Sequence, residues 1–109
     1  MRLALPAKVI LITGHQPCQL EDLSQTGAHI SVDRGAPPIG DGVVLMINGV
    51  EAFGSVVWRR GNEFGMCFED PLSMDDVVGL RSLHDHFQTL EQQRTRRRAQ
   101  EFVQGRKIF

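Results

Sequence analysis

The fold is decided by the stretch from Val43 to Phe68, which reads VVLMINGVEAFGSVVWRRGNEFGMCF. An apolar, largely β-branched run precedes Asn48-Gly49, the dipeptide favoured in a two-residue type I′ hairpin turn because both central residues need positive φ. A long strand follows as far as Arg59, and after a further turn a short apolar strand ends the stretch. The pattern predicts three consecutive antiparallel strands.

The residues before this stretch predict three more strands. Apolar side chains alternate at period two from Leu3 to Leu11, which is typical of a half-buried strand. We expect further strands at 18–23 and 28–32, a turn at 14–17, and a loop at 33–42 because that segment holds three glycines and two prolines. The fold class is therefore mainly β, a six-stranded antiparallel β-barrel, in which closure removes exposed strand edges.

A C-terminal α-helix is predicted to start near Ser73. Ser73 can cap the helix, and Asp76 follows three residues later as in a capping box. Apolar residues then recur at spacings of three and four, which predicts one stripe able to pack on the barrel. The stripe consists of Val77, Leu80, Leu83, Phe87 and Leu90. We expect its last two members to project beyond the barrel, where either a homodimer through this helix or a bend back onto the barrel rim would cover them.

Length and composition predict one domain. The chain has 109 residues, of which 41% are hydrophobic and 23% charged. We expect the barrel and its helix to occupy 1–90 and a basic, polar helical extension to occupy 91–109. No apolar run is long enough to cross a membrane, so we expect no membrane insertion. Cys18 and Cys67 are too few for a disulfide framework, which predicts a cytoplasmic protein with buried, inert thiols.

The most specific local pattern is D-x-S-x-x-G, formed by Asp22, Ser24 and Gly27. A carboxylate can accept two parallel hydrogen bonds from the N1 and N2 edge of guanine, and a serine hydroxyl adds a donor and an acceptor nearby. Gly27 permits positive φ and a close backbone approach. The alternative is that these polar side chains satisfy the backbone of their own turn.

The order of motifs along the chain resembles the PilZ domain family over about residues 2–90. Asp-x-Ser-x-x-Gly is followed by the hairpin, by Val56-x-Trp58 and then by Gly65-x-x-Phe68. The resemblance implies a six-stranded barrel with a C-terminal helix. It also implies binding of the bacterial second messenger cyclic di-GMP, which many members bind and others no longer do.

Ligand-binding members of that family carry a second motif, Arg-x-x-x-Arg, whose guanidinium groups contact phosphates and guanine. Arg2 matches the second arginine best, and its partner would lie before Met1, so half of the clamp is missing from the chain as given. Trp58 and Arg59 could stack on a base and hold a phosphate, whereas a structural role would bury Trp58 in the core. The predicted ligand-binding residues are Arg2, Asp22, Ser24, Gly27, Trp58 and Arg59.

Three functions follow from these patterns. The leading one is a non-enzymatic cyclic di-GMP receptor or adaptor with an unknown protein effector, and the second is a degenerate PilZ domain that binds a protein without nucleotide. The third is a small barrel that binds nucleic acid through Arg94–Arg98, although the interleaved Gln and Glu residues favour a solvated helix end for this segment. We expect no cofactor, no metal site and no enzyme, since the four histidines have surface roles and no catalytic motif is present.

Overall fold

Six strands close into an antiparallel barrel in the computed structural model, which describes residues 2–86 and, for Arg2, the backbone alone. The strands are β1 (Arg2–Leu11), β2 (Gly14–Leu23), β3 (Gly27–Val32), β4 (Gly42–Ile47), β5 (Val50–Arg60) and β6 (Glu63–Phe68). Around the barrel their order is β1-β2-β3-β6-β5-β4, and β4 pairs with β1 to close it. The mainly β prediction and the barrel are confirmed.

Alternation along the strands fills the barrel with apolar side chains. β3 and β4 each alternate half-buried and buried residues along their whole length. Phe64 has no exposed surface, and it is the largest of the fully buried side chains. Gly54 on β5 lies so close to β6 that a Cβ atom there would come within 2.0 Å of the Cys67 carbonyl oxygen. That approach excludes any larger residue at this crossing.

The predicted C-terminal helix, α1, begins at residue 74 and is described as far as residue 86. The Ser73 hydroxyl accepts a hydrogen bond from the Asp76 amide at 3.1 Å, which confirms the predicted cap. Val77 and Leu80 are buried in the core, and Leu83 is half-buried against it. The predicted stripe therefore packs on the barrel as far as it can be followed. Phe87, Leu90 and the basic extension with Arg94–Arg98 lie outside the described residues.

The predicted turn at 14–17 is wrong, because β2 already begins at Gly14. The connection from β1 is confined to residues 12 and 13, and Gly14 adopts a positive φ of 128°. The polar residues that follow suggested a turn, but they pair with β1 across this end of the sheet. β3 pairs with β2 only from Cys18 onward, so Pro17 has a neighbouring strand on one side alone, where proline is tolerated.

The two cysteines differ in environment. Cys18 is half-buried, and burial raises the pKa of its thiol to about 12. Cys67 is exposed, so the prediction that both thiols are buried is wrong for this residue. Cys67 lies on β6, whose outer face is open to solvent at this position. Within residues 2–86, no helix has the length and apolar character that crossing a membrane requires.

Candidate functional site

A β-bulge in β2 turns Asp22 to the outside of the barrel. Leu20 pairs with Ile30, but the next pair is Asp22 with His29, so β2 advances two residues while β3 advances one. Leu20 and Leu23 are both buried, and the two acidic residues between them therefore lie on the outer surface. Regular alternation would have aimed Asp22 into the core. Bulges of this kind commonly redirect a side chain beside a functional site.

A second bulge, in β5, turns Trp58 outward in the same way. Val56 pairs with Met66 and Trp58 with Gly65, so β5 gains one residue relative to β6. Val56 is buried, whereas Val57 is 52% exposed and Trp58 is 40% exposed. The alternative that Trp58 fills the core is therefore wrong. Its indole lies over Gly65, where an added Cβ atom would come within 2.0 Å of Nε1.

The two redirected side chains meet at one open pocket of about 310 Å³ on the outer surface. Strands β2, β3, β5 and β6 contribute its walls. The lining residues are Asp22, Leu23, Ser24, Gly27, Ala28, His29, Val57, Trp58, Gly65 and Met66. Four of the six predicted ligand-binding residues are thus brought together.

Of the other two predicted residues, Arg59 is not part of the pocket lining, and Arg2 is described by its backbone alone. The backbone of Arg2 pairs with Asp22 across β1 and β2, which places it beside the pocket. Arg59 is exposed and pairs with Phe64, one position beyond the Trp58–Gly65 pair. Both arginines therefore flank the pocket in the strand register.

The D-x-S-x-x-G turn satisfies its own backbone. The Ser24 amide donates to the Gly27 carbonyl at 2.9 Å, and the Ser24 hydroxyl accepts from the amides of Thr26 at 3.3 Å and Gly27 at 3.2 Å. The Asp22 carboxylate accepts from the Leu23 amide at 2.9 Å. The structural interpretation of the motif is confirmed, and it coexists with a place in the pocket for the same residues.

Gly27 is required by packing and not by its backbone angles. Its φ is not positive, so that part of the prediction is wrong. A Cβ atom at Gly27 would come within 2.5 Å of the Met66 carbonyl oxygen on β6. The close approach that the sequence allowed is therefore the operative reason, and it joins the turn to the floor of the pocket.

His29 is a polar lining residue that the sequence did not single out. Its Nε2 lies 2.6 Å from Glu63 Oε1, and its ring centroid lies 5.1 Å from that of Trp58 with an interplanar angle of 62°. Its neighbours Ala28 and Ile30 are buried, so alternation alone places His29 on the outer face. The alternation predicts an outward-facing His29, but no motif includes this residue. The sequence therefore predicts only a surface role for it.

The pocket offers a hydrogen-bond acceptor and an aromatic side chain on an open surface. Asp22 supplies a carboxylate, and Trp58 supplies a partly exposed indole on which a flat ring can stack. Among residues 2–86, no group of three or more His, Cys, Asp or Glu side chains could hold a metal ion. The geometry suits reversible binding of a planar, hydrogen-bonding ligand.

The fold and the site together define a small six-stranded barrel with an open pocket on its outer surface. The pocket lies beside the turn that Asp22, Ser24 and Gly27 form. The family model for the PilZ domain matches residues 1–86, and the chain belongs to the PilZ family. No curated protein matches the chain.

Proposed function

We propose that this chain is a non-enzymatic cytoplasmic receptor or adaptor that binds cyclic di-GMP in the pocket between Asp22 and Trp58. The observation that carries the proposal is the pair of bulges, which turn both side chains out of the core toward the same pocket. Membership of the PilZ family supports it, because binding of this messenger is common among PilZ domains.

In the proposed complex, one guanine stacks on the exposed face of Trp58. Asp22 accepts hydrogen bonds from guanine N1 and N2, a planar donor edge that suits a carboxylate. Ser24 holds the turn through its bonds to the backbone and so fixes the position of Asp22. Arg2 and Arg59 are assigned the phosphates, because they flank the pocket and guanidinium groups bind phosphate oxygens well.

Calorimetric titration of the full chain with cyclic di-GMP tests this function. Replacing Asp22 by Ala should weaken binding by about 1–3 kcal/mol, because the guanine donors lose their acceptor, or about 5- to 150-fold in Kd. Glu51→Ala is the matched control, since it removes one exposed carboxylate on β5 that is not part of the pocket lining. Equal affinity of the wild type and Asp22→Ala would remove the ligand from this pocket.

The second candidate function is a protein-binding adaptor that takes no nucleotide. The outer side of β5 favours it, because Phe53 is 53% exposed and Val57, the neighbour of Trp58, is 52% exposed. Apolar side chains in this position suit the centre of a protein interface. A folded chain that gives no heat with cyclic di-GMP would favour this function over the first.

A further inference from the structure

Among the described residues that line the pocket, one side chain can become a cation. Asp22 contributes a carboxyl group and His29 an imidazole, and of these two groups only the imidazole can carry a positive charge. A ligand that carries phosphate brings further negative charge to this surface. His29 is therefore the lining residue whose protonation would offset it.

Two contacts hold the His29 ring in place. The Glu63 carboxylate can only accept a hydrogen bond, so the 2.6 Å contact places a proton on Nε2 of the imidazole. The T-shaped contact with Trp58 restrains the ring plane as well. Within residues 2–86, Nδ1 has no hydrogen-bond partner, and the side chain is 34% exposed. Nδ1 is thus the ring atom that can meet a ligand.

We propose that His29 is a ligand-binding residue, and that its Nδ1–H donates to a phosphate oxygen of the bound nucleotide. This inference rests on the proposed function. A neutral imidazole with its proton on Nε2 has no proton to donate from Nδ1, so His29 must take up one proton when the phosphate binds. The bound pair is then an imidazolium held between the carboxylate of Glu63 and the phosphate.

The charges around His29 favour this proton uptake. Asp22 faces it from β2, since the two residues are register partners, and Glu63 faces it from β6. β5 contributes the uncharged Trp58 beside His29, and its two arginines lie outside the lining, Arg59 next to Trp58 and Arg60 as the register partner of Glu63. A phosphate would add a third anionic group to these two carboxylates, and an imidazolium among them lowers the repulsion.

Calorimetry of the full chain between about pH 5.5 and about pH 8, the range in which histidine titrates, tests the proposal. The Kd for cyclic di-GMP should fall as the pH is lowered, by at most about tenfold per pH unit for one proton. Guanosine, which has no phosphate, should bind with little pH dependence. Titrations in two buffers of different ionisation enthalpy should report net proton uptake for cyclic di-GMP only.

Three variants separate binding from folding. His29→Gln keeps a hydrogen bond to Glu63 but cannot titrate, so its Kd should lose the pH dependence. Glu63→Gln removes a carboxylate that favours the imidazolium, so the pH profile should move to lower pH. His15→Gln is the matched control, because His15 is exposed near the β1–β2 turn and does not line the pocket.

The outcomes are distinct. Cyclic di-GMP binding with the same pH slope in the wild type and in His29→Gln would overturn the role of His29 and leave the proposed function standing. Tighter binding at higher pH would also overturn it, because a neutral Nδ1 would then be accepting from the ligand. No binding at any pH would refute the proposed function, and the inference with it.

Discussion

At the scale of single residues, Gly65 and Trp58 depend on each other. The indole occupies the space that a side chain at Gly65 would need, with Nε1 within 2.0 Å of an added Cβ atom. Gly65→Ala should therefore displace the indole and separate it from His29. Because Trp58 is the only tryptophan and the chain has no tyrosine, the emission spectrum reports this residue almost alone. We expect a shifted emission maximum, weaker cyclic di-GMP binding and a loss of stability on the order of 1 kcal/mol, as overpacking typically costs.

Gly42→Ala is the control for this change. It also adds a methyl group to a strand of the barrel, but the atom nearest to the added Cβ is Phe53 Cε1, at 3.4 Å. Its emission spectrum should match that of the wild type. An unchanged spectrum in Gly65→Ala would contradict the observed packing of the indole.

The sequence predicted Asp22, Ser24 and Gly27 because each is chemically specific at a fixed spacing. His29 could not be predicted in the same way. Its importance comes from Glu63 and Trp58, which lie on two other strands and meet it only when β3, β6 and β5 lie side by side in the sheet. Contacts between strands distant in sequence leave no local pattern.

At the scale of elements, the strands follow from alternation and turn chemistry, whereas the bulges do not. The hairpin at Asn48-Gly49 forms as predicted, and Asn48 and Gly49 have φ values of 46° and 84°. The β5 bulge falls within Val56-Val57-Trp58, where three consecutive apolar residues hide the change of phase. The alternation could not show which of them faces outward, and so it left the position of Trp58 open.

The start of α1 allows a prediction at this scale. Ser73→Ala removes the hydroxyl that accepts from the Asp76 amide, so unfolding should become easier by about 1 kcal/mol. Gly79→Ala should act in the opposite direction by about 0.5–1 kcal/mol, because an added Cβ atom meets nothing within 4 Å and alanine favours a helix. Urea denaturation measures both. Unchanged stability in both variants would show that α1 is not part of the cooperative unit.

At the scale of the whole molecule, closure was predicted because open edges invite association, and the β1–β4 pairing provides it. This pairing joins β1 to β4, the first strand of the hairpin at Asn48-Gly49. It runs from the pair of Lys8 with Met46 to the pair of Ile10 with Val44. The pocket depends on the order of the strands as well. Strands β2 and β5 are not neighbours, and they face the same pocket only because β3 and β6 lie between them.

Association through the helix remains a prediction at this scale. Val77 and Leu80 are buried against the barrel, whereas Leu83 is only half-buried. The contact between α1 and the barrel therefore weakens along the stripe. Phe87 and Leu90 continue the same spacing. If a second copy covers them, each buried side chain contributes about 1.5–3 kcal/mol. Sedimentation at micromolar concentration should then show a dimer that Phe87→Asp dissociates.

Ser82→Asp is the control, because it adds the same charge at an exposed position off the stripe and should leave the dimer intact. A single monomeric species in all three proteins would exclude the dimer, and Phe87 and Leu90 would then need cover within one chain.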